Sequence, residues 1–429
     1  MPSSLFADLV RWFHACRITS AWAVTGGGTS AVSALFQVPG ASAGVREVQV
    51  PYSAEALAEY LGTAPERACS PETARAMAVH ACERARKLRG AGETPSPTAG
   101  VNAVSPPPVW GVGLTAALVS DRPKRGEHRA HWAVQGDDFT FDATLRLEKG
   151  ARDRAAEDET VARSLLATIL PLAASDLTSP VPGNWMSAVP HAPIAGQIVR
   201  RRLAASDLPE VGMRSGEAVE IVWAKSVPPL VALRSEGRPP VWFREPHLIV
   251  PAHEVPVLGL LCGSFNPLHH GHRQLRRLAE ARLGGRVGYE LSIRNVTKPP
   301  LDYLTLVDRV GQFDDAPVVI SSAPTFAEKS GCFPGVTFVI GEDTFVRVLA
   351  PRYHGGTWQG VTEALHTISR NGCRFLVAGR DSGAGFRTLD GQAIPEEFAG
   401  LFEGLSEDEF RVDASSTRLR RDRHIDPAD

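Results

Sequence analysis

An apolar run, Val255–Leu261, and an amphipathic pattern, Arg273–Leu283, enclose ten residues from Gly263 to His272 spaced G-x-F-x-P-x-H-x-G-H. That order reads as a buried strand, a tight turn and a helix, and it commits this part of the chain to a layered α/β arrangement. Glycine and proline after a strand favour a turn, and Gly263 lets the backbone approach an anion closely. The helix that follows offers unpaired N–H groups and the positive end of its dipole, an arrangement suited to anions. His269 and His272 stand at the mouth of that helix, where ring N–H groups can donate to phosphate oxygens as charge builds in a transition state. Ser264, Phe265 and Gly271 belong to the same segment. The plainer alternative is a strand–turn–helix with two surface histidines. The register of glycine, phenylalanine and proline favours phosphate chemistry.

At 429 residues the chain exceeds one ordinary core, and two domains with a connector are expected. A hydrophobic fraction of 43% and a charged fraction of 22% are those of a globular protein. A net charge of −2 gives no reason to expect a surface for nucleic acid. The cysteines (Cys16, Cys69, Cys82, Cys262, Cys332 and Cys373) are scattered without a C-x-x-C pair. This argues against a structural zinc site or a disulfide framework and leads to a cytoplasmic expectation. No apolar run nears the ~20 residues a membrane span requires, so no membrane association is expected. Met1–Phe13 carries Asp8 and Arg11 inside its apolar stretch, which predicts an amphipathic helix and not a signal peptide.

From Pro256 onward apolar runs alternate with amphipathic ones. Strands are predicted at Val257–Cys262, Val287–Ile293, Pro317–Ser321, Val336–Gly341 and Arg374–Ala378. Helices are predicted at Arg273–Leu283, Leu304–Phe313, Asp343–Leu349 and Gly360–Arg370. The pattern implies a Rossmann-like, doubly wound parallel sheet covered on both faces, with ligands beyond the carboxyl ends of its strands. The whole chain is expected to be α/β, with two α/β domains at 1–178 and 256–429. The stretch 179–255 between them is rich in proline and has short β-like runs (Val219–Ala224, Leu230–Leu233, Val241–Phe243). It reads as a small hairpin platform or as an extension of either domain.

The segment Gly263–His272 resembles the phosphate-binding signature of the nucleotidylyltransferase superfamily. Three further segments fall where that superfamily carries function. In Glu290–Leu301, Lys298 best matches the basic residue that reaches substrate phosphates; its plain reading is an exposed lysine. Phe338–Phe345 resembles the strand-end I-G-x-D of nicotinate and nicotinamide mononucleotide adenylyltransferases. There Gly341 would give backbone access and Asp343 could accept from a ribose hydroxyl, although an aspartate at that position can also be an N-cap. Ala414–Arg420 is close to the family's I-S-S-T-x-x-R. Its Ser415, Ser416 and Thr417 would bring hydroxyls and N–H groups to phosphate, and Arg420 would clamp phosphate oxygens from one turn on.

The resemblance implies in-line transfer without a protein nucleophile. An acceptor phosphate attacks the α-phosphorus of ATP or another nucleoside triphosphate, and pyrophosphate leaves. His269 and His272 would stabilise phosphate charge, with Lys298 serving the acceptor or triphosphate and Arg420 the β/γ end. Mg²⁺ would be held mainly by the triphosphate and by no dedicated metal site. The acceptor would be nicotinamide or nicotinate mononucleotide, or another small phosphate. A cytidylyltransferase, a phosphopantetheine-type adenylyltransferase and a non-catalytic nucleotide sensor are the alternatives.

The first half resembles the CinA C-terminal domain, the nicotinamide-nucleotide amidohydrolase family. Thr25–Ala43, Tyr52–Ala56, Ser70–Met77 and Gly111–Leu118 follow that family's motifs in order, interrupted by the Pro-rich Thr94–Pro108, a predicted loop. The departures fall on chemistry. Ala23 stands where the family has its nucleophilic serine, Trp22 replaces the preceding glutamate, and Leu57 replaces a lysine. A methyl group cannot attack an amide. The resemblance therefore implies a catalytically inactive relative, either keeping a nucleotide site near Gly26–Gly28 and the basic loop Arg122–Arg129 or serving as a structural or dimerisation domain within a homo-oligomer.

Overall fold

The computed structural model describes residues 4–89, 107–121, 125–175, 181–182, 193–233, 240–245, 248–251, 256–294, 299–381, 385–389 and 392–412. Two compact units divide the chain: Met1–Pro228 with Thr297–Leu304, and Pro229–Val296 with Thr305–Asp429. Each is an α/β layer structure.

In the first unit, α1 (Ser4–Ala15) forms where the sequence predicts it. Its Phe6, Leu9, Val10 and Phe13 recur at helical spacing and are buried, while Asp8 and Arg11 pair at 2.5 Å on the exposed side. Strand β1 (Thr19–Thr25) is buried throughout and is followed by α2 (Ser30–Gln37), β2 (Val45–Gln49), α3 (Ala54–Leu61) and α4 (Pro71–Lys87). Ser53 and Ser70 start the last two helices by accepting from Ala56 and Thr73 amides, as N-caps do. Then come β3 (Val109–Ala117), β4 (His128–Gln135), β5 (Phe139–Leu147), α5 (Arg154–Ile169), β6 (Ile198–Ala204) and β7 (Ala218–Lys225). The sheet order is β2-β1-β3-β4-β5-β7-β6, with β2, β1 and β3 parallel and the rest antiparallel.

Alternation along the strands sorts two faces. Trp22, Val24, Val112, Leu114 and Trp132 join α1, α2 and α5 in one large core. On the other face α4 lies close against β3, because Gly111 and Gly113 leave no side chain between them. A Cβ on Gly111 would come within 2.0 Å of the Ala78 carbonyl oxygen, and one on Gly113 within 2.3 Å of Ala74 O.

The second unit begins with α6 (Pro228–Leu233), β8 (Val241–Glu245) and β9 (Leu248–Pro251). Its main run is β10 (Gly259–Cys262), α7 (His270–Leu283), β11 (Val287–Ser292), α8 (Tyr303–Val310), β12 (Val318–Ser321), α9 (Phe326–Cys332), β13 (Thr337–Gly341), α10 (Glu342–Val348), α11 (Trp358–Arg370) and β14 (Arg374–Ala378). A two-residue pair, β15 (Arg380–Asp381) and β16 (Phe386–Arg387), and a last strand, β17 (Phe402–Gly404), follow. The sheet order is β17-β14-β13-β10-β11-β12-β8-β9. The six strands from β17 to β12 are parallel, and β8 and β9 add an antiparallel edge.

The winding reverses at one place. From β10 the chain steps through β11 to β12 in one direction; β13, on the other side of β10, leads through β14 to β17 in the opposite one. Right-handed crossovers then place α7 and α11 on opposite faces, the doubly wound arrangement expected. Leu260, Phe338, Ile340, Phe375 and Val377 pack with Phe345, Val361, Leu365 and Ile368 on one of them.

One expectation changes, and one pair of alternatives is decided. Leu230–Leu233 is helical within α6 and not β-like, because Pro228 and Pro229 open a helix with φ already set. The stretch 179–255 forms no platform of its own among the described residues: β6 and β7 extend the first sheet, while β8 and β9 extend the second. Helix α9 was not legible, since its only strong signal is the Thr325–Glu328 capping box. The predicted loop at Thr94–Pro108 falls outside the described residues up to 106, and Lys298, Ser415, Ser416, Thr417 and Arg420 also lie outside them.

Candidate active site

Adjacent parallel strands whose connections depart in opposite directions leave a crevice beyond their carboxyl ends. In the second unit those strands are β10 and β13, paired from Gly259↔Thr337 to Leu261↔Val339. The segment Gly263–His269 leaves the end of β10, and Gly341 and Asp343 sit at the end of β13. Sequence positions about 75 residues apart are thereby brought to one edge of the sheet, at its switch point.

The turn after β10 is held from inside. Phe265 has a left-handed backbone, φ +45°, which is unfavourable for a bulky residue and requires compensation. Its ring supplies it: Phe265 is 1% exposed and packs edge-on against His272, Tyr289 and Phe313 with centroids 5.1–5.3 Å away. Gln312 brackets the backbone, accepting from Leu268 N at 2.8 Å and donating to Phe265 O at 3.3 Å. Arg309 donates to Ser264 O at 3.0 Å. The Ser264 side chain is left exposed. Gly263 is closely covered, since a Cβ there would stand 3.0 Å from the Phe265 ring, which would have to give by a few tenths of an ångström.

His269 is the N-cap of α7, with extended φ −138° and ψ 171°, and His272 lies in the first turn. The His269 amide donates to His272 Nδ1 at 3.2 Å. Nδ1 is therefore an acceptor, and in the neutral ring the proton sits on Nε2. The two imidazoles stack with centroids 3.8 Å apart. Gly271 permits this stack, because a Cβ would lie 2.7 Å from Val412 Cγ1 and 3.1 Å from His269 Nδ1 and Cε1. Burial, and then the neighbouring His269, push the His272 pKa down to about 3. Burial lowers His269 as well, followed by the charges of His270 and Arg380. Both rings are neutral at physiological pH and act as N–H donors. His269 Nδ1 is buried without a partner among the described residues.

Across the crevice Gly341, not Asp343, is the N-cap of α10, which removes the capping reading of Asp343. Asp343 Oδ2 instead faces Arg380 at 3.1 Å and Arg347 at 3.9 Å. Arg380 carries no motif signal in the sequence beyond being a cation two places past the end of β14. Glu342 is 6% exposed, and its Oε1 has no partner among the described residues. No group of three or more His, Cys, Asp or Glu side chains suited to a metal occurs among the described residues. Asp343, already facing two guanidinium groups, is a poor ligand for a dication.

In the first unit, Ala23, Leu57, Gly26 and the loop Arg122–Arg129 were the residues singled out in the sequence. Ala23 is fully buried and shares one apolar cluster with Leu57, Tyr60, Leu61 and Met77. The two substitutions noted in the sequence thus meet each other, and hydrocarbon fills the place. Gly26 keeps a left-handed turn at φ +77°, where a Cβ would strike Ala116 O at 1.9 Å. The α2 N-terminus beyond that turn takes a carboxylate from the same unit. Asp158 accepts from Thr29 N at 3.2 Å, Ser30 N at 3.1 Å and Ser30 Oγ at 2.5 Å. The loop Arg122–Arg129 is not solvated at its end: His128 opens β4, is 4% exposed and bonds Glu157 at 2.7 Å. Residues 122–124 lie outside the described residues.

No family model matches the chain. A solved structure of the competence/damage inducible protein CihA from Agrobacterium tumefaciens aligns at 20% identity and a TM-score of 0.29, over 39% of this chain and 94% of that one. A probable nicotinate-nucleotide adenylyltransferase from Gloeobacter violaceus is 29% identical over 177 residues, which cover 38% of this chain and 82% of that protein. In sequence, the chain is similar to a nucleotidylyltransferase.

Proposed function

We propose that the second unit transfers AMP from ATP to nicotinamide or nicotinate mononucleotide and releases pyrophosphate. The observation that carries this reading is the His269–His272 turn at the switch point between β10 and β13, with Asp343 on the neighbouring strand end. An acceptor phosphate oxygen forms a bond to the α-phosphorus while the bond from that phosphorus to the pyrophosphate oxygen breaks. The His272 Nε2–H donates to phosphate oxygens as their charge grows, and the α7 N-terminus adds its dipole. Because both rings are neutral before binding, the site stabilises charge without first releasing a proton. Lys298 and Arg420 keep the phosphate-binding roles that the family resemblance gives them, as do Ser415, Ser416 and Thr417. Mg²⁺ would arrive on the triphosphate, whose clustered anionic oxygens suit a hard dication. The chain would act in the cytoplasm on small molecules, and none of its described helices is long and apolar enough to cross a membrane.

The test is competition. With purified protein and Mg²⁺, ATP and CTP compete for nicotinamide mononucleotide and, separately, nicotinate mononucleotide, and the dinucleotide is followed by mass. ATP is expected to win. A CTP product, or a product formed only when pantetheine phosphate is offered as a third acceptor, would move the substrate assignment and leave the reaction class standing. No pyrophosphate release with any triphosphate would overturn the class.

The first unit is proposed to be non-catalytic. Incubation with nicotinamide mononucleotide is expected to release no ammonia above background, because the Ala23–Leu57 cluster offers neither nucleophile nor amine. Sustained ammonia release that survives mutation of every surface serine would show that another residue of this unit does the chemistry.

A further inference from the structure

The side chain proposed to receive the ribose is engaged elsewhere in this structure. Asp343 Oδ2 lies 3.1 Å from Arg380 Nη1, and both side chains are a little under half exposed, at 42% and 44%. Arg347, one helical turn along α10, stands 3.9 Å from the same oxygen. Exposed pairs of this kind are weakly held and rearrange readily. Arg380 leaves the end of β14, whose Ala378 pairs with Gly341 at the end of β13. It also lies near enough to His269 for its charge to help lower that ring's pKa. One guanidinium therefore stands within reach of both the phosphate turn and the ribose acceptor. Resting on the reading of this unit as a nucleotidylyltransferase, we propose that Arg380 is a phosphate-binding residue that Asp343 holds in the ligand-free state and yields to the triphosphate.

The exchange follows from charge. A single carboxylate shared with Arg347 is a poorer partner than a triphosphate, whose several anionic oxygens can accept a bidentate guanidinium. When Arg380 turns to the phosphates, Asp343 is freed to accept from ribose hydroxyls. Phosphate and ribose recognition are thereby coupled: the phosphate end of the nucleotide uncovers the acceptor for its sugar. Adenosine, lacking phosphates, must compete with Arg380 for Asp343, whereas ATP need not.

The test compares Arg380→Gln and Arg380→Lys with the wild type in equilibrium binding of ATP·Mg²⁺ and of adenosine, and in steady-state kinetics. Arg380→Gln is expected to weaken ATP by about 10- to 100-fold, the scale of a lost charge-assisted contact. It should leave adenosine binding unchanged or tighten it a few-fold. Arg380→Lys should recover part of the ATP affinity, and the loss should appear in KM for ATP more than in kcat. Equal weakening of ATP and adenosine would overturn the proposal, because Arg380 would then only prop Asp343. Unchanged ATP binding in Arg380→Gln would overturn it too. Should the glutamine variant melt early, the ratio of ATP to adenosine affinity in the lysine variant decides the matter. If the wild type binds no nucleoside triphosphate at all, the nucleotidylyltransferase reading falls and this inference falls with it.

Discussion

His272→Ala slows pyrophosphate release by on the order of 10²–10³-fold, the usual cost of removing one preorganised donor to transition-state charge. His269→Ala has an effect of similar size, because it removes both a ring N–H donor and the imidazole stacked on His272, although the backbone amide that holds the His272 tautomer remains. A backbone amide survives either mutation, so His272→Gln is the informative comparison. A glutamine amide nitrogen reaches the place of Nε2 and should retain more activity than alanine. The domain should stay folded in all three variants, since the turn is held mainly by Phe265 and Gln312. The pH profile of kcat/KM is a second readout. His272 sits at about 3, well below the usual 6.5, so lowering the pH from 8 to 5 does not charge it in the free protein. A wild-type profile that rises or falls with an apparent pKa near 6.5 and flattens in His272→Ala would contradict the neutral-donor role. So would near wild-type turnover in both alanine variants.

Gly111→Ala destabilises the first unit by about 3 kcal/mol or more, because a single methyl group forces α4 off β3. The added Cβ would stand 2.0 Å from Ala78 O and 2.1 Å from Cys82 N, both backbone atoms that cannot rotate away. Gly126→Ala is the control. Nothing lies within 4 Å of a Cβ there, and the change should stay within about 0.5 kcal/mol. Thermal unfolding of the full chain followed by intrinsic fluorescence, with Trp242 and Trp358 of the second unit replaced by phenylalanine, reads the first unit, where Trp110 and Trp132 are buried. Equal melting of the Gly111 and Gly126 variants would mean that α4 and β3 are not in the tight register described.

These two glycines show where reading the chain stops. Both are plain in the sequence, and nothing in their neighbours says that one lies under a helix and the other in open space. The main strands and most helices of the second unit were legible because their signals are local. Val287–Ser292 and Arg374–Ala378 are short apolar runs between amphipathic stretches, and the expected boundaries agree with the structure to within a residue or two. The His269–His272 turn was legible for the same reason, since its glycines, its phenylalanine and its proline are close neighbours in the chain. Asp343 stands out in the sequence, but its partner does not: Arg380 is 37 positions further on, and only the pairing of β13 with β14 brings the two together. Leu230–Leu233 misled, because a short apolar run reads alike in a strand and a helix, and Pro228 and Pro229 settled the matter.

The first half makes the same division more sharply. That Ala23 carries no nucleophile and Leu57 no amine could be read from residue types alone. That these two side chains touch one buried cluster, and that Asp158 reaches 129 positions back to the α2 N-terminus, could not. Sequence by itself determined the α/β class, the tight turn with its two histidines and the absence of a nucleophilic side chain at Ala23, because periodicity, turn chemistry and residue identity act over a few neighbouring residues. Only the tertiary structure decided the order of the strands, the switch point between β10 and β13, the tautomer of His272 and the occupant of each anion-accepting or cation-accepting group. Those depend on packing and electrostatic contacts between residues far apart in the chain, which exist only once the sheets have closed.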